Sequence, residues 1–467
     1  MKVIGVLLGL IAAINLRADV KLPAVFSDHM VLQRGNVAPV WGWADSGEKV
    51  TVQFAGQTKT ATAGKHGKWM VRLDAINDAT VKGALTVKGN NILIVKDVLV
   101  GEVWLASGQS NMAMTVGRCR EAAQEKAAAK FSAIRMFTTQ RRAHLELQTD
   151  CVGAWVVCSP ETVNGFSGTA YFFARAVHQK LNVPVGIVHS SWGGTAVEAW
   201  TSLDVQAGDK KLAPVFAQWK SKPKTDRNKP ANLFNGMIAP ILPYGIRGAI
   251  WYQGERNART LDSSKLYAHQ LPLMINDWRR RWGQGDFPFL WVQLPNFKTR
   301  NDDPNAVSAW AHMRESMAGT LALSNTGMAT TIDIGEAKDI HPKNKQDAGA
   351  RLANWALAEF YGKADVTATG PMYASHKIKG NTVTVQFKHA AGLQAKEARV
   401  VNGFALAGAD KKFHWATATV NANSAVEVSC DAVKTPLAVR YGWGDNPNVN
   451  LVNKAGLPTT PFRTDKW

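Results

Sequence analysis

Val98-Leu99-Val100-Gly101-Glu102-Val103-Trp104-Leu105-Ala106 is an apolar, β-rich run that ends abruptly in Ser107-Gly108-Gln109-Ser110-Asn111-Met112. This pattern sets Ser110 at the carboxyl end of a buried strand, where open α/β sheets place their ligand sites. Gly108 lets the backbone turn sharply, and Gln109 and Asn111 put amides on either side of the hydroxyl. A serine hydroxyl is a weak nucleophile alone, so a catalytic role needs a base, an orienting group and an oxyanion site from elsewhere. Taken by itself, the run is more simply a polar turn that closes a strand.

The surroundings decide what sort of sheet holds this strand. Four more apolar runs follow: Pro184–His189, Ile246–Tyr252, Pro288–Leu294 and Gly327–Ile334. Between them lie helical patterns, with Ala170, Phe173, Ala174, Val177 and Leu181 on one face, and Leu352, Ala356 and Phe360 on another after a polar start at Asn344. Continuous apolar strands alternating with helices predict a parallel sheet covered on both faces over residues 98–365. Ser221 to Pro230 reads as a polar surface excursion within that unit. Residues 19–97 have a different texture: Val50-Thr51-Val52-Gln53-Phe54 alternates, as do Trp69, Val71 and Leu73, with glycine-rich turns between short strands. This predicts a β-sandwich-like module. Residues 366–467 return to β texture in Thr382–Phe387 and Ala438–Tyr441, which predicts a second β-rich module.

Length and composition agree with several domains. The chain has 467 residues, 46% of them hydrophobic and 19% charged, as in globular rather than disordered proteins. Lys2, the apolar stretch Val3 to Ile14 and the small Ala18 form a secretory-signal pattern over residues 1–18, so an exported protein, periplasmic or secreted, is expected. No later run reaches the ~20 apolar residues of a membrane span. The formal charge is +19; loss of Lys2 and Arg17 with the signal leaves 53 basic against 36 acidic residues, or +17. That balance favours acidic partners. The basic residues are scattered, however, and no nucleic-acid motif accompanies them. The four cysteines, Cys119, Cys151, Cys158 and Cys430, form no metal-ligand pattern, so no metal and no cofactor are expected. Cys151 and Cys158 are close enough in sequence to bridge, and spacing does not settle whether they do.

Each later strand ends in a run with chemical potential. After Pro184–His189 comes Ser190-Ser191-Trp192-Gly193-Gly194-Thr195, whose paired glycines suit an oxyanion hole or, equally, a tight strand-to-helix turn. After Ile246–Ile250 comes Trp251-Tyr252-Gln253-Gly254-Glu255-Arg256-Asn257, in which Gln253 offers an amide donor at a strand end. After Gly327–Ile334 comes Gly335-Glu336-Ala337-Lys338-Asp339-Ile340-His341-Pro342. A carboxylate two residues from an imidazole supplies a general base with an orienting acid, or a turn cap beside an unrelated histidine. Four such runs, each closing a strand of one sheet, say more than any alone.

Together the runs Gly-Gln-Ser-Asn-Met, Ser-Trp-Gly-Gly-Thr, Trp-Tyr-Gln-Gly-Glu and Asp-Ile-His-Pro resemble the sialate O-acetylesterase family of the SGNH/GDSL hydrolase superfamily. The resemblance extends to Phe26–Gln33 near the start and to Gly456-Leu457-Pro458 with Pro461–Thr464 near the end, so it covers essentially the whole mature chain. It implies a three-layer α/β/α SGNH-hydrolase domain flanked by the β modules, and a metal-independent serine esterase. It implies Ser110 as nucleophile, His341 as base and Asp339 as orienter, with the oxyanion held by the Ser110 N–H, Gly193 or Gly194, and Gln253. Asn111, Glu255 and Trp192 are then expected to contact substrate. Two features depart from the family's pattern. The superfamily commonly has the Asp three residues before the His rather than two, which leaves Glu255 or Asp333 as further orienters. Arg256 also stands where relatives have serine, either to meet an anionic group or to face solvent.

The expected substrate is an O-acetylated sugar or glycan, sialic acid first, with acetylated xylan as the alternative within the family. A non-catalytic carbohydrate-binding protein is the alternative from another class. Trp192 and Trp200 offer possible sugar-stacking platforms near the glycine pair, though most of the 17 tryptophans are expected in cores. The α/β-hydrolase elbow is excluded, because Asn111-Met112 follows Ser110 where that elbow needs a residue and then glycine.

Overall fold

The computed structural model describes residues 19–467; the expected signal segment, residues 1–18, lies outside them. The N-terminal strands are β1 (Val31–Gln33), β2 (Ala38–Trp43), β3 (Lys49–Phe54), β4 (Gln57–Thr62), β5 (Lys68–Leu73) and β6 (Lys82–Lys88), followed by the long β7 (Ile92–Gly108). β8 (Ile134–Thr138), β9 (Trp155–Val157), β10 (Val185–Ser191), β11 (Gly248–Tyr252), β12 (Phe289–Val292) and β13 (Thr326–Ala329) complete the central sheet.

β7 joins two architectures. Its first half pairs antiparallel with β6, and its second half pairs parallel with β10 on one side and β11 on the other. The junction expected at 97/98 thus falls inside one unbroken strand. At the seam, Glu102 is fully buried and is held by Arg34, Arg247 and the Tyr361 hydroxyl. Burial pushes its carboxyl up, but the Arg247 and Arg34 guanidiniums outweigh that and hold it below the ordinary range.

The central sheet runs β13-β12-β11-β7-β10-β8-β9, parallel throughout except for β9. Alternation along each strand sends side chains to both faces. Trp104, Ala106, Ile250, Tyr252, Leu290 and Val292 pack on one side with helices Gly168–Leu181 and Lys345–Trp355. Val103, Leu105, Ala249, Trp251, Phe289 and Trp291 pack on the other with helices Leu261–Trp282 and Ala309–Gly319. This is the three-layer α/β arrangement expected. After β10 the chain crosses to the other side of β7 to form β11, so the strand leading to Ser110 stands where the connections diverge, the usual position of a ligand crevice.

Two expectations shift in detail. β8 was not anticipated because the charged Arg135 interrupts its apolar run; the structure buries that side chain and pairs it with Asp97 at 2.9 Å. β13 stops at Ala329 rather than continuing to Ile334, because the Thr331 hydroxyl turns to donate to the Gln293 carbonyl and Arg351 takes the Thr330 carbonyl. The polar start at Asn344 is a cap, its side-chain oxygen accepting the Asp347 N–H at 3.1 Å.

The flanking modules are antiparallel, apart from β1, which pairs parallel with β7. The C-terminal one packs the sheet containing Thr382–Lys388 and Val426–Ser429 against that containing Phe404–Ala407 and Ala438–Tyr441. Val383, Val385 and Val428 meet Phe404, Leu406 and Tyr441 in its core. All four cysteines are unpaired, Cys151 and Cys158 included. Among the described residues no helix is long and apolar enough to cross a membrane.

Candidate active site

β7, β10 and the loop after β13 bring the expected catalytic groups together. Gly108 has φ +135, and a Cβ there would lie 2.2 Å from the Tyr252 carbonyl oxygen, so only glycine allows this turn between neighbouring strands. The Gln109 N–H then donates to that carbonyl at 2.9 Å, and Ser110 opens the short helix Ser110–Ala113. The Ser110 hydroxyl lies 2.9 Å from His341 Nε2. His341 Nδ1 is 3.3 Å from Asp339 Oδ1, and the same oxygen accepts the His341 backbone N–H at 2.8 Å. That backbone hydrogen bond, with the imidazole beside it, holds the Asp339 carboxyl below the ordinary carboxylate range. One carboxylate therefore fixes both the loop and the ring. With Nδ1 facing Asp339, Nε2 is the nitrogen left to take a proton from Ser110.

The other expected orienters are engaged elsewhere. Asp333 pairs with Arg351 at 2.6 and 2.8 Å, and Glu255 accepts from Asn111. The two-residue spacing works because Asp339 bends back across a tight turn onto the histidine's own amide.

The glycine pair lies against the nucleophile. The Trp192 N–H donates to the Gly108 carbonyl at 3.1 Å, and a Cβ at Gly193 would come 3.2 Å from the Ser110 Cβ. Among the described residues the Gly193 and Gly194 N–H groups have no protein acceptor. Trp192 is half-buried beneath the Arg227 guanidinium, 5.5 Å from its ring centre. Trp200 is fully buried, its indole N–H donating to the Thr195 hydroxyl, so it belongs to the core and offers no platform. Arg256 is half-buried, its charge set among Arg259, Glu198, Asp226 and Arg227.

Gln253 departs from the role expected of it. Its side chain is fully buried and its amide nitrogen donates to the Thr195 carbonyl at 3.0 Å and to Asn257 Oδ1 at 2.7 Å. Its oxygen accepts from the Tyr267 hydroxyl at 2.8 Å. Both N–H directions are thus committed to holding the Gly193–Gly194 turn onto β11. Asn257 extends the network to the buried Glu198 at 3.0 Å.

Asn111 and Glu255, expected to touch substrate, are buried behind Ser110. The Asn111 amide nitrogen donates to Glu255 and to the Ile340 carbonyl, and its oxygen accepts from Lys345 Nζ at 2.7 Å. Lys345 also donates to the Pro342 carbonyl at 2.6 Å. Asn111, the residue after the nucleophile, is therefore tied directly to Ile340 and, through Lys345, to Pro342, the two neighbours of His341. Burial pushes the Glu255 carboxyl up and the Lys345 ammonium down, the latter to about 8. Lys345 escaped the sequence reading. Its one signal was a basic residue in the first turn of a helix, where the macrodipole disfavours positive charge and another role has to outweigh it.

Among the described residues no group of His, Cys, Asp and Glu is arranged to hold a metal ion. Residues 100–358 match the family described as carbohydrate esterase, sialic acid-specific acetylesterase. The chain belongs to this family. Human sialate O-acetylesterase is 30% identical, over 98% of this chain and 96% of its own length. The mouse sialate O-acetylesterase is 28% identical, over 94% of this chain and 93% of its own. The crystal structure of a carbohydrate acetylesterase from Xanthomonas citri is 40% identical and superposes with a TM-score of 0.87, covering 96% of this chain and 100% of that one. The protein is thus a carbohydrate acetylesterase, a carboxylic ester hydrolase, and its Ser-His-Asp cluster lies within the matched residues.

Proposed function

We propose that this protein is an exported serine esterase that removes O-acetyl groups from sialic acid through an acetyl-enzyme. The observation that carries the mechanism is the 2.9 Å approach of the Ser110 hydroxyl to His341 Nε2, with Asp339 on the far side of the ring. Ser110 Oγ bonds to the acetyl carbonyl carbon as its proton passes to His341. The carbonyl electrons move onto oxygen, where the N–H groups of Ser110 and Gly193 meet the developing charge. Collapse of this intermediate breaks the bond to the sugar oxygen, which leaves with the proton from His341. Water then attacks the acetyl-enzyme, giving its proton to His341; acetate departs and Ser110 regains its hydrogen. Asp339 stabilises the imidazolium in both halves.

In this reading Gln253, Asn111, Glu255 and Lys345 position the reacting groups, and Trp192 stands at the rim. Sialic acid as substrate rests on the names of the relatives and on the Arg227 guanidinium beside Trp192, which suits a sugar carboxylate. Export rests on the charged start and apolar run of residues 1–18. Acetate release from O-acetyl sialic acid and from acetylated xylan, measured on the same preparation, tests the substrate. Faster turnover of the sialic acid ester is expected. Preference for xylan would overturn the substrate and leave the mechanism standing, whereas binding without acetate release from either would overturn the mechanism.

A further inference from the structure

A second cleft lies apart from Ser110, between the 298–308 loop of the catalytic domain and the C-terminal sandwich. It encloses about 600 Å³, and none of the catalytic residues lines it. Its walls are firmly built. Asn305 exchanges two hydrogen bonds with the Phe413 backbone, at 2.8 and 2.9 Å, sewing the loop to the sandwich. The floor is held by buried Arg314, which donates to the Gly444 and Asp445 carbonyls at 2.7 and 3.0 Å. Lys298 and Asp445 neutralise each other at 2.6 Å.

The groups left facing the cleft form a distinctive set. Trp415 is 44% exposed, unusually open for its type, and its indole N–H donates to the Asp302 carbonyl at 2.6 Å, which fixes the ring in place. Among the described residues, the side-chain amides of Asn402 and Asn448 and the guanidinium of Arg300 have no protein partner. A clamped aromatic face beside unengaged amides is the complement of a sugar ring. The apolar C–H face of a pyranose lies on an indole, and each amide offers a donor and an acceptor at the spacing of neighbouring hydroxyls. Lys298 and Asp445 being paired with each other, the Arg300 guanidinium is the cation left to face the ligand. Asn296 links this cleft to the catalytic loop, donating to Asn446 Oδ1 at 2.9 Å and accepting the Gly335 N–H at 2.7 Å.

We propose that this cleft is a second carbohydrate-binding subsite, separate from the ester-cleaving centre, in which a sugar ring stacks on Trp415 and its hydroxyls pair with Asn402, Asn448 and Arg300. It holds a non-acetylated part of the glycan, so binding there does not depend on the acetyl-ester chemistry at Ser110.

The test is calorimetric titration of the full mature protein with two sugars that carry no acetyl ester, xylohexaose and 3′-sialyllactose. At least one binds, and Trp415→Ala weakens that binding by ~10-fold or more, equivalent to about 1.4 kcal/mol. Turnover of 4-nitrophenyl acetate is the same in Trp415→Ala as in the wild type and is unaffected by saturating sugar. Which sugar binds distinguishes a neutral plant-type glycan from a sialylated one. Failure of both to bind, unchanged binding in Trp415→Ala, or competitive inhibition of 4-nitrophenyl acetate by the sugar would each overturn the subsite. Should Trp415→Ala melt early, the double variant Asn402→Ala with Asn448→Ala decides, because both side chains lack protein partners: weakened binding supports the subsite, and wild-type binding refutes it. Loss of acetate release from all acetylated sugars, with this binding intact, would refute the esterase mechanism and spare the subsite.

Discussion

Replacing Lys345 with methionine separates what the buried network does for stability from what it does for catalysis. The ammonium is fully buried, and its ordinary pKa of 10.5 is pushed down to about 8 by loss of solvent, despite the Glu255 carboxylate nearby. At neutral pH that burial opposes folding by about 3 kcal/mol. Methionine has similar length and relieves this cost. It also leaves Asn111 Oδ1 and the Pro342 carbonyl, now held at 2.7 and 2.6 Å, without their donor. Two orphaned buried acceptors cost about 1–3 kcal/mol each. The opposing contributions nearly cancel, so the urea midpoint of Lys345→Met should stay close to that of the wild type. Catalysis should not be spared. Asn111 adjoins Ser110, Pro342 adjoins His341, and Lys345 is the atom-to-atom link between them. A displacement on the order of 1 Å between reacting groups costs ~10²-fold in rate. The expected result is a fall of about that size in kcat for 4-nitrophenyl acetate, with KM little changed. Wild-type kcat in a folded Lys345→Met protein would refute the idea that this network aligns nucleophile and base.

Further expectations follow from the same geometry. The unfolded chain holds a proton on Lys345 up to 10.5 while the folded chain releases it from about 8, so between those values the unfolded state binds more protons and stability rises with pH. Urea titrations across that range should show this rise in the wild type and its loss in Lys345→Met; identical slopes would contradict it. Gln253→Ala should lower the melting temperature as well as kcat, because it leaves the Thr195 carbonyl without its donor and the Tyr267 O–H without its acceptor, each at about 1–3 kcal/mol, while Asn257 keeps Val197 and Glu198. Loss of rate at unchanged stability would instead restore Gln253 as a dedicated oxyanion donor. Gly193→Ala puts a methyl 3.2 Å from the Ser110 Cβ and should depress kcat without unfolding the protein, as read by turnover and circular dichroism together. Asp339→Asn should cut kcat by ~10²–10⁴-fold, since it removes the charge that orients His341 and stabilises its cation. A near-normal rate would show that another group takes that role.

Five strands of the parallel sheet, β7, β10, β11, β12 and β13, and the placement of Ser110 at the end of one were legible because apolar runs and their polar endings are local features. The loop Asp339-Ile340-His341 was legible for the same reason, and the structure closes it onto Ser110 at 2.9 Å. What the sequence concealed was the direction in which polar side chains point. Asn111, Glu255 and Gln253 look like groups offered to a ligand, yet each is buried and partnered. Their partners arrive from far along the chain: Lys345 reaches Asn111 across 234 positions and Gln253 meets Thr195 across 58. No local pattern encodes such a meeting. The continuity of β7 was hidden too, because its two halves obey different rules: alternating burial in the antiparallel half and unbroken burial in the parallel half.

The central claim is that Ser110 is the nucleophile, and covalent labelling by a serine-reactive phosphonate tests it most directly. Tandem mass spectrometry of the labelled mature protein should find one equivalent of phosphonyl group, on Ser110, with none in Ser110→Ala and much slower labelling in His341→Ala. Label on a different residue, or acetate release by Ser110→Ala at the wild-type rate, would contradict the account.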